Sequence, residues 1–321
     1  MRKLNQYKAQ QYFQKHYYSI LDEPVLDLKY NKFDESIEMA SIQGWRSANE
    51  DRILVSENNG NILAVVFDGH GGDWVANYCA EFYDKILFNT IEYKKGNYHD
   101  AFKKANKIMD QQLFGESYDV ILNYARSNIT KKLLMYRRHI NKMTNKHFHH
   151  SNHCGCTCCA VLITPSEIIC SNIGDSKAIA LSEENLLDLN YEHNTKLNSE
   201  EERLTRNGFP IIEGRIGGMI NVTRGFGDFE FKDMQNLDIE EKQAVLNMPE
   251  ILTFSKDLFD KVIIGCDGLW DCYSIHKCKE CIDNGYSIKD LAKSCINPQH
   301  FYSSGQLYGY DNVSIIIINL E

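Results

Sequence analysis

Three aspartates stand at the tips of apolar runs in this chain. Asp68 closes Ile62-Leu63-Ala64-Val65-Val66-Phe67, Asp267 follows Val262-Ile263-Ile264-Gly265-Cys266, and Asp311 precedes Val313-Ser314-Ile315-Ile316-Ile317-Ile318. Each run reads as a buried strand. An acid at a strand tip can hold a cation. The glycines of Asp68-Gly69-His70-Gly71-Gly72 let the main chain approach closely enough for a carbonyl to join it. Taken singly, each aspartate is more often a turn residue or a cap. If the last run lies antiparallel to the other two, the three carboxylates meet at one sheet edge. Carboxylates that close repel one another and take up protons unless cations are present. Oxygen ligands without thiolate favour Mg2+ or Mn2+ over Zn2+.

Further acids can join them. Glu50-Asp51 precedes Ile53-Leu54-Val55, Asp175 lies in Asn172-Ile173-Gly174-Asp175-Ser176, Asp271 ends Asp267-Gly268-Leu269-Trp270-Asp271, and Asp228 ends Gly225-Phe226-Gly227-Asp228. Each alone also fits a hairpin turn. A pair of ions on carboxylates suits phosphate ester hydrolysis, because water between them loses a proton more easily and the same ions clamp the phosphoryl oxygens. Arg46 offers a bidentate fork for phosphate, or equally a surface salt bridge. His70 titrates near neutrality and is placed for proton transfer. The chain has neither a Cys-x5-Arg loop nor a Gly-x-Ser-x-Gly elbow, so a covalent intermediate is not indicated.

These groups need elements to hold them. Strands are expected at 37–43, 53–56, 62–67, 157–164, 167–171, 176–181, 261–265 and 313–320, with Asn58-Asn59-Gly60 as a hairpin turn. Residues 1–20 read as a polar helix with aromatic anchors, and 73–146 as mostly helix. A helix over 199–207 opens with Ser199 and Glu202 in capping-box spacing, and 273–296 reads as helical. The order of elements, with many hairpin-length links, predicts an α+β fold with largely antiparallel sheets. No repeat or low-complexity linker divides it. Residues 1–35 are expected to form a polar, helical N-terminal extension packing on a single domain over 36–321.

The chain has 321 residues, 43% of them hydrophobic, enough for a globular core. Its net charge of −9 argues against nucleic acid as a partner and suits a protein that gathers carboxylates around cations. No apolar stretch approaches the ~20 residues that cross a bilayer, and the first residues lack a signal-peptide core. The expectation is a monomer in the cytosol or nucleus, with no membrane partner. The eleven cysteines then read as reduced thiols. His147, His149, His150, His153, Cys154, Cys156, Cys158 and Cys159 suggest zinc by composition. The run from Cys156 into Ala160-Val161-Leu162-Ile163 instead reads as a polar loop feeding a core strand.

In order along the chain, several segments together resemble the metal-dependent protein phosphatase family of the protein phosphatase 2C type. They are Gly44-Trp45-Arg46 with Glu50-Asp51; Val66-Phe67-Asp68-Gly69-His70-Gly71-Gly72; Gly155-Cys156-Thr157; Asn172-Ile173-Gly174-Asp175-Ser176; Thr223-Arg224-Gly225-Phe226-Gly227-Asp228; Pro249-Glu250; Cys266-Asp267-Gly268-Leu269-Trp270-Asp271; and Asp311-Asn312-Val313-Ser314. The resemblance covers roughly residues 38 to 320. It implies a central β-sandwich of two antiparallel sheets flanked by helices, in four layers, and hydrolysis of phosphoserine and phosphothreonine in protein substrates. It implies two Mg2+ or Mn2+ ions, with Asp68 bridging both, aided by the Gly69 carbonyl. Asp267 and Asp311 would complete one shell, and Glu50 and Asp51 would act on the second ion. Arg46 would hold the phosphate and His70 would be the general acid. Asp175 and Asp271, with Asp267, match positions used for a weaker third ion. The chain departs from the family at Glu192-His193-Asn194-Thr195, where many relatives have Asp-His-Lys-Pro, which bears on substrate preference. The rival readings are a catalytically silent scaffold, which would lack metal acids, and a di-metal phosphodiesterase, which usually mixes in several histidine ligands.

Overall fold

The computed structural model describes residues 20–114, 154–233, 236, 239, 243–296 and 309–320. Two antiparallel sheets face each other. The first runs β1 (Ile20–Lys32), β2 (Ile37–Arg46), β16 (Val313–Asn319), β15 (Lys261–Gly265), β9 (Lys177–Leu181), β10 (Leu186–Asp188). The second runs β14 (Glu250–Ser255), β8 (Glu167–Ile173), β7 (Cys158–Ile163), β4 (Asn61–Phe67), β3 (Arg52–Asn58). Alternate side chains point to opposite faces of a strand. On β4, Ala64 and Val66 enter the interior between the sheets with Val262, Ile264, Ile316 and Ile318. Leu63, Val65 and Phe67 face the other way, against α1 (Trp74–Asn89) and α3 (Tyr98–Phe114), which the short α2 (Ile91–Lys94) connects. On the outer face of the first sheet, Ile263, Ile315 and Ile317 pack under α5 (Asp267–Trp270), α6 (Ile275–Asp283) and α7 (Ile288–Cys295). Burial on both faces is why the central strands read as unbroken apolar runs. The four layers are helix, sheet, sheet, helix, as expected.

Several local expectations hold and several change. Asn59 and Gly60 both take positive φ, 52° and 78°, as a tight hairpin between β3 and β4 demands. The helical region after Asp73 extends to Phe114, and the remainder of the expected stretch lies outside the described residues. The helix expected over residues 1–20 lies almost wholly outside them. The helical character expected for the extension up to residue 35 gives way to β1, so a boundary at residue 35 falls within the β1–β2 hairpin. The reason is period-two patterning: Leu28 and Tyr30 face the apolar layer between the first sheet and helices α5 to α7, and Pro24 is tolerated because β1 is an edge strand.

The helix near 199 is α4 (Asn198–Arg206), and its N-cap is Leu197 with no side-chain cap. The expected capping box does not form, because Ser199 already lies inside the first turn. The helical stretch from 273 is broken between α6 and α7 at Gly285, with φ 85°, and a real capping box forms at Ser287 and Asp290. Strand β14, which carries Glu250, has no strong apolar run and was not expected.

The single-edge expectation for the aspartates also changes. β16 does run antiparallel to β15. Asp68, however, ends β4 in the second sheet, whereas Asp267 and Asp311 flank strands of the first. The acids converge because both sheets open at the same end of the sandwich.

Candidate active site

A cleft of about 640 Å³ at that end is lined by Arg46, Glu50, Asp68, Gly69, His70, Asp175, Asp267, Asp271 and Asp311 among others. Asp51 lies just beneath, 4% exposed. Of the ten residues expected at a site, the structure thus places nine on one cleft and the tenth under its floor.

The main chain brings these groups close together. Asp68 leaves β4 as its backbone exchanges hydrogen bonds with Thr157: the Thr157 N–H donates to Asp68 O at 2.9 Å, and the Asp68 N–H donates to Thr157 Oγ1 at 3.2 Å. A Cβ on Gly69 would lie 2.3 Å from Glu50 O, so only glycine lets these two segments touch. Gly268 is equally constrained, since its Cβ would lie 2.0 Å from Asn312 O. Asn312, whose role no local pattern reveals, is a bracket. It accepts from the Glu50 N–H at 2.9 Å and donates to Gln43 O and Ala48 O at 2.8 and 2.9 Å. The segment carrying Arg46, Glu50 and Asp51 is thereby tied to the segment carrying Asp311.

The acids repel one another in a cleft where Asp51 and Asp175 are buried and Asp68, Asp267, Asp311 and Glu50 are part-buried. Burial, then Asp267, Asp51 and Asp311, push Asp68 well above the usual carboxylate range. Burial, then Asp311 and Asp175, do the same to Asp267. Asp51 is pushed up to about 7 by burial and then by Asp311. Asp175 rises to about 6 through burial and Glu192, and Asp271 to about 6 through burial and Asp311. Burial also raises Glu50.

Asp51 Oδ2 is buried with no hydrogen-bond partner. An orphaned carboxylate oxygen among acids that cannot all ionise together fits a divalent cation with oxygen ligands. Oxygens of Asp51 and Asp68 and the sulfur of Cys266 lie within 4.8 Å of one another. Cys266 was not expected here. Its sulfur accepts from the Ser314 N–H at 3.2 Å and donates to Asn312 O at 3.4 Å, and burial followed by Asp51 pushes the thiol well up. It is a neutral thiol beside an oxygen site, which leaves the donor set hard.

Arg46 Nη2 lies 2.6 Å from Asp311 Oδ2, so a cation and an acid of the cleft face each other directly. His70 sits on β5 (Gly69–His70), which pairs with β6 (Gly155–Cys156); β6 pairs in turn with β13 (Phe226–Gly227). This small sheet brings His70 Nε2 to 2.7 Å from Asp228 Oδ2. A Cβ on Gly155 would lie 2.1 Å from Asp228 Oδ2 and 2.6 Å from His70 Nε2, so the pair needs a glycine between its strands. Burial works to lower His70, but the Asp228 carboxylate, joined by Asp175 and Glu50, outweighs it and the imidazole is raised, favouring its charged form. Asp228 was visible as an acid in a glycine turn. Nothing local linked it to a histidine 158 positions away. Asn221 Nδ2, also unforeseen, donates to Asp175 Oδ2 at 3.0 Å.

Cys154, Cys156, Cys158 and Cys159 are buried in the core, where Cys154 donates to Gly72 O at 2.9 Å. His147, His149, His150 and His153 lie outside the described residues. His193 is buried, with Nε2 3.2 Å from Glu250 Oε2. Burial lowers its pKa, which keeps it a neutral strut behind the loop to Asp175.

The Protein phosphatase 2C family model matches residues 35–299. The chain is 32% identical over 272 residues to "Probable protein phosphatase 2C 11" of Oryza sativa, covering 77% of this chain and 75% of that protein. It is 28% identical over 325 residues to "Protein phosphatase 2C homolog 2" of Saccharomyces cerevisiae, covering 94% of this chain and 62% of that one. Its fold matches the serine-threonine phosphatase 2C of Toxoplasma gondii with a TM-score of 0.64 at 16% identity, over 91% of this chain and 98% of the other. With the family model spanning most of the sequence and the acids, arginine and histidine gathered on one cleft, the chain belongs to the protein phosphatase 2C family of serine/threonine protein phosphatases.

Proposed function

We propose that this chain hydrolyses phosphoserine and phosphothreonine in proteins with two Mg2+ or Mn2+ ions, by direct attack of water and without a covalent intermediate. The observation that carries this reading is the carboxylate cluster around Asp68 in the cleft, with the buried and orphaned Asp51 Oδ2, beside Arg46 and the His70–Asp228 pair. Asp68, aided by the Gly69 carbonyl, would serve both ions, with Asp267 and Asp311 completing one and Glu50 and Asp51 acting on the other, and Asp175 and Asp271 near a weaker third. The ions supply Lewis-acid activation of water and neutralise phosphoryl charge.

The residues do the rest. Arg46 orients the phosphate with its planar fork, exchanging the Asp311 carboxylate for phosphoryl oxygens. His70 donates a proton to the leaving alkoxide of serine or threonine, which is too basic to depart readily as an anion. Asp228 holds Nε2, so the proton given up is the one on Nδ1. An acidic cleft also repels the backbone of nucleic acid and favours a substrate that arrives with the cations in place.

The test is release of phosphate from a phosphothreonine peptide with Mn2+, with EDTA, and in Asp68→Asn. Activity with Mn2+ is expected, with none in EDTA and a loss in Asp68→Asn exceeding the roughly 100-fold typical of groups that merely support a metal ligand. Release that survives EDTA, or is unchanged in Asp68→Asn, overturns the reading.

A further inference from the structure

Behind the His70–Asp228 pair lies an ion pair that the chemistry above does not use. Asp110, on α3, and Lys232 are both fully buried, with Nζ 2.6 Å from Asp110 Oδ2. Neither spends its remaining bonding capacity at random. Asp110 Oδ1 accepts from the Gly227 N–H at 3.0 Å, and Lys232 Nζ donates to Gly225 O at 2.7 Å. Both ions therefore grip the Gly225–Gly227 backbone, which contains β13 and leads into Asp228. That strand needs gripping. Gly227 has φ 74° and Asp228 has φ 50°, a left-handed conformation that is uncommon for a residue with a side chain, aspartate being one of the few that adopt it. On the other side, the Asp228 N–H donates to Cys154 O at 3.0 Å.

A buried ion pair is a poor source of stability, since desolvation cancels most of the attraction, and well-packed apolar residues commonly serve as well. What an apolar pair cannot do is bond a backbone N–H and a backbone carbonyl at fixed lengths. We infer that Asp110 and Lys232 are positioning residues that set the Gly225–Gly227 backbone so that Asp228 reaches His70. The inference rests on the phosphatase reading above. It makes the outer helix layer, through α3, part of the apparatus that aims the proton donor.

The experiment compares wild type with Lys232→Met, with the apolar double replacement Asp110→Leu/Lys232→Met, with His70→Ala, and with His70→Ala/Lys232→Met. Substrates are a phosphothreonine peptide, whose leaving group needs a proton, and p-nitrophenyl phosphate, whose leaving group does not. Lys232→Met is expected to lower kcat on the peptide about tenfold or more, with a much smaller loss on p-nitrophenyl phosphate and with KM within about twofold. In the His70→Ala background the same substitution should cost almost nothing further on the peptide, because the two act through one group. The ratio of the two substrates is independent of how much enzyme is folded. If Lys232→Met fails to fold, the apolar double replacement carries the same comparison.

A readout independent of activity is amide exchange in the metal-free protein. Gly227 and Asp228 should exchange about tenfold faster in the variant, with β8 amides unchanged. Equal losses on both substrates, or a full multiplicative loss in the His70→Ala background, overturns the inference. Absence of Mn2+-dependent hydrolysis in wild type would instead remove the phosphatase reading, and the amide exchange would still report whether the pair holds this strand.

Discussion

His70 and Asp228 share one hydrogen bond of 2.7 Å, and burial acts to lower the imidazole, so its raised state comes from the carboxylates around it, Asp228 first, then Asp175 and Glu50. A histidine meant to give up a proton near neutral pH gains from a carboxylate that both orients it and favours its charged form. Asp228→Asn keeps the shape and removes the charge. It is expected to lower kcat on a phosphothreonine peptide by about 10- to 100-fold, with a much smaller effect on p-nitrophenyl phosphate. Steady-state kinetics on the two substrates check this, and equal losses would show that Asp228 has some other task. The acids are a different residue-scale problem. Their side-chain types and tip positions were legible in the sequence, because a carboxylate after an apolar run is a local pattern. The couplings among them were not, since each depends on a neighbour dozens to hundreds of positions away.

At the scale of elements, α4 is anchored by charge. Glu200, 1% exposed, lies 2.9 Å from Arg203 and 2.6 Å from Arg224. Arg203 also donates to Gln243 O and Ala244 O at 2.9 and 3.0 Å, so the helix is bolted both to that segment and, through Arg224, to the Thr223-Arg224-Gly225 turn. Burial pushes Glu200 up, but Arg224 and Arg203 outweigh it and hold the carboxyl at about 2, below its ordinary 4.5. A depressed acid adds stability that is complete above pH 4.5 and is lost as pH falls through about 2. Its size is about 3 kcal/mol at neutral pH. Glu200→Gln should therefore destabilise the protein by that order at about pH 7, and the gap should narrow steadily below about pH 4.5. Urea unfolding across that range measures it, and a gap independent of pH would contradict the account. The sequence marked the helix but placed Ser199 and Glu202 as its cap. The tertiary environment overruled a local signal, because Glu200 is worth more as a partner for two arginines than a capping box is to one helix end.

For the whole molecule, the sandwich stacks two apolar sheets whose acidic ends are pressed together. Among the described residues that end gathers Glu50, Asp51, Asp68, Asp175, Asp267, Asp271 and Asp311 in or just beneath one cleft. Cations that bind there and not to the unfolded chain stabilise the fold by mass action. At about 100 times its dissociation constant, Mn2+ should add roughly 2.7 kcal/mol. Asp68→Asn should lose that gain. In EDTA the same variant should be more stable than wild type, because it removes one of the mutually repelling carboxylates. Thermal unfolding of both proteins with Mn2+ and with EDTA gives the four values needed. Equal Mn2+ stabilisation of the two proteins would mean that the ions sit elsewhere.

By itself the sequence determined what near neighbours can encode. That covers the apolar central strands, the Asn59-Gly60 hairpin, the α+β class, and the ordered motifs that carry the acids, Arg46 and His70. Propensity, alternation and turn chemistry act over a few residues, so they can be read from a few residues. Only the tertiary structure decided that Asp68 belongs to one sheet and Asp267 and Asp311 to the other, that Asn312 ties the Arg46 segment to Asp311, that Asp228 reaches His70, and that Asp110 and Lys232 grip the strand between them. Those contacts are selected by packing and by the need to satisfy buried charge, which exist only once distant segments have been brought together.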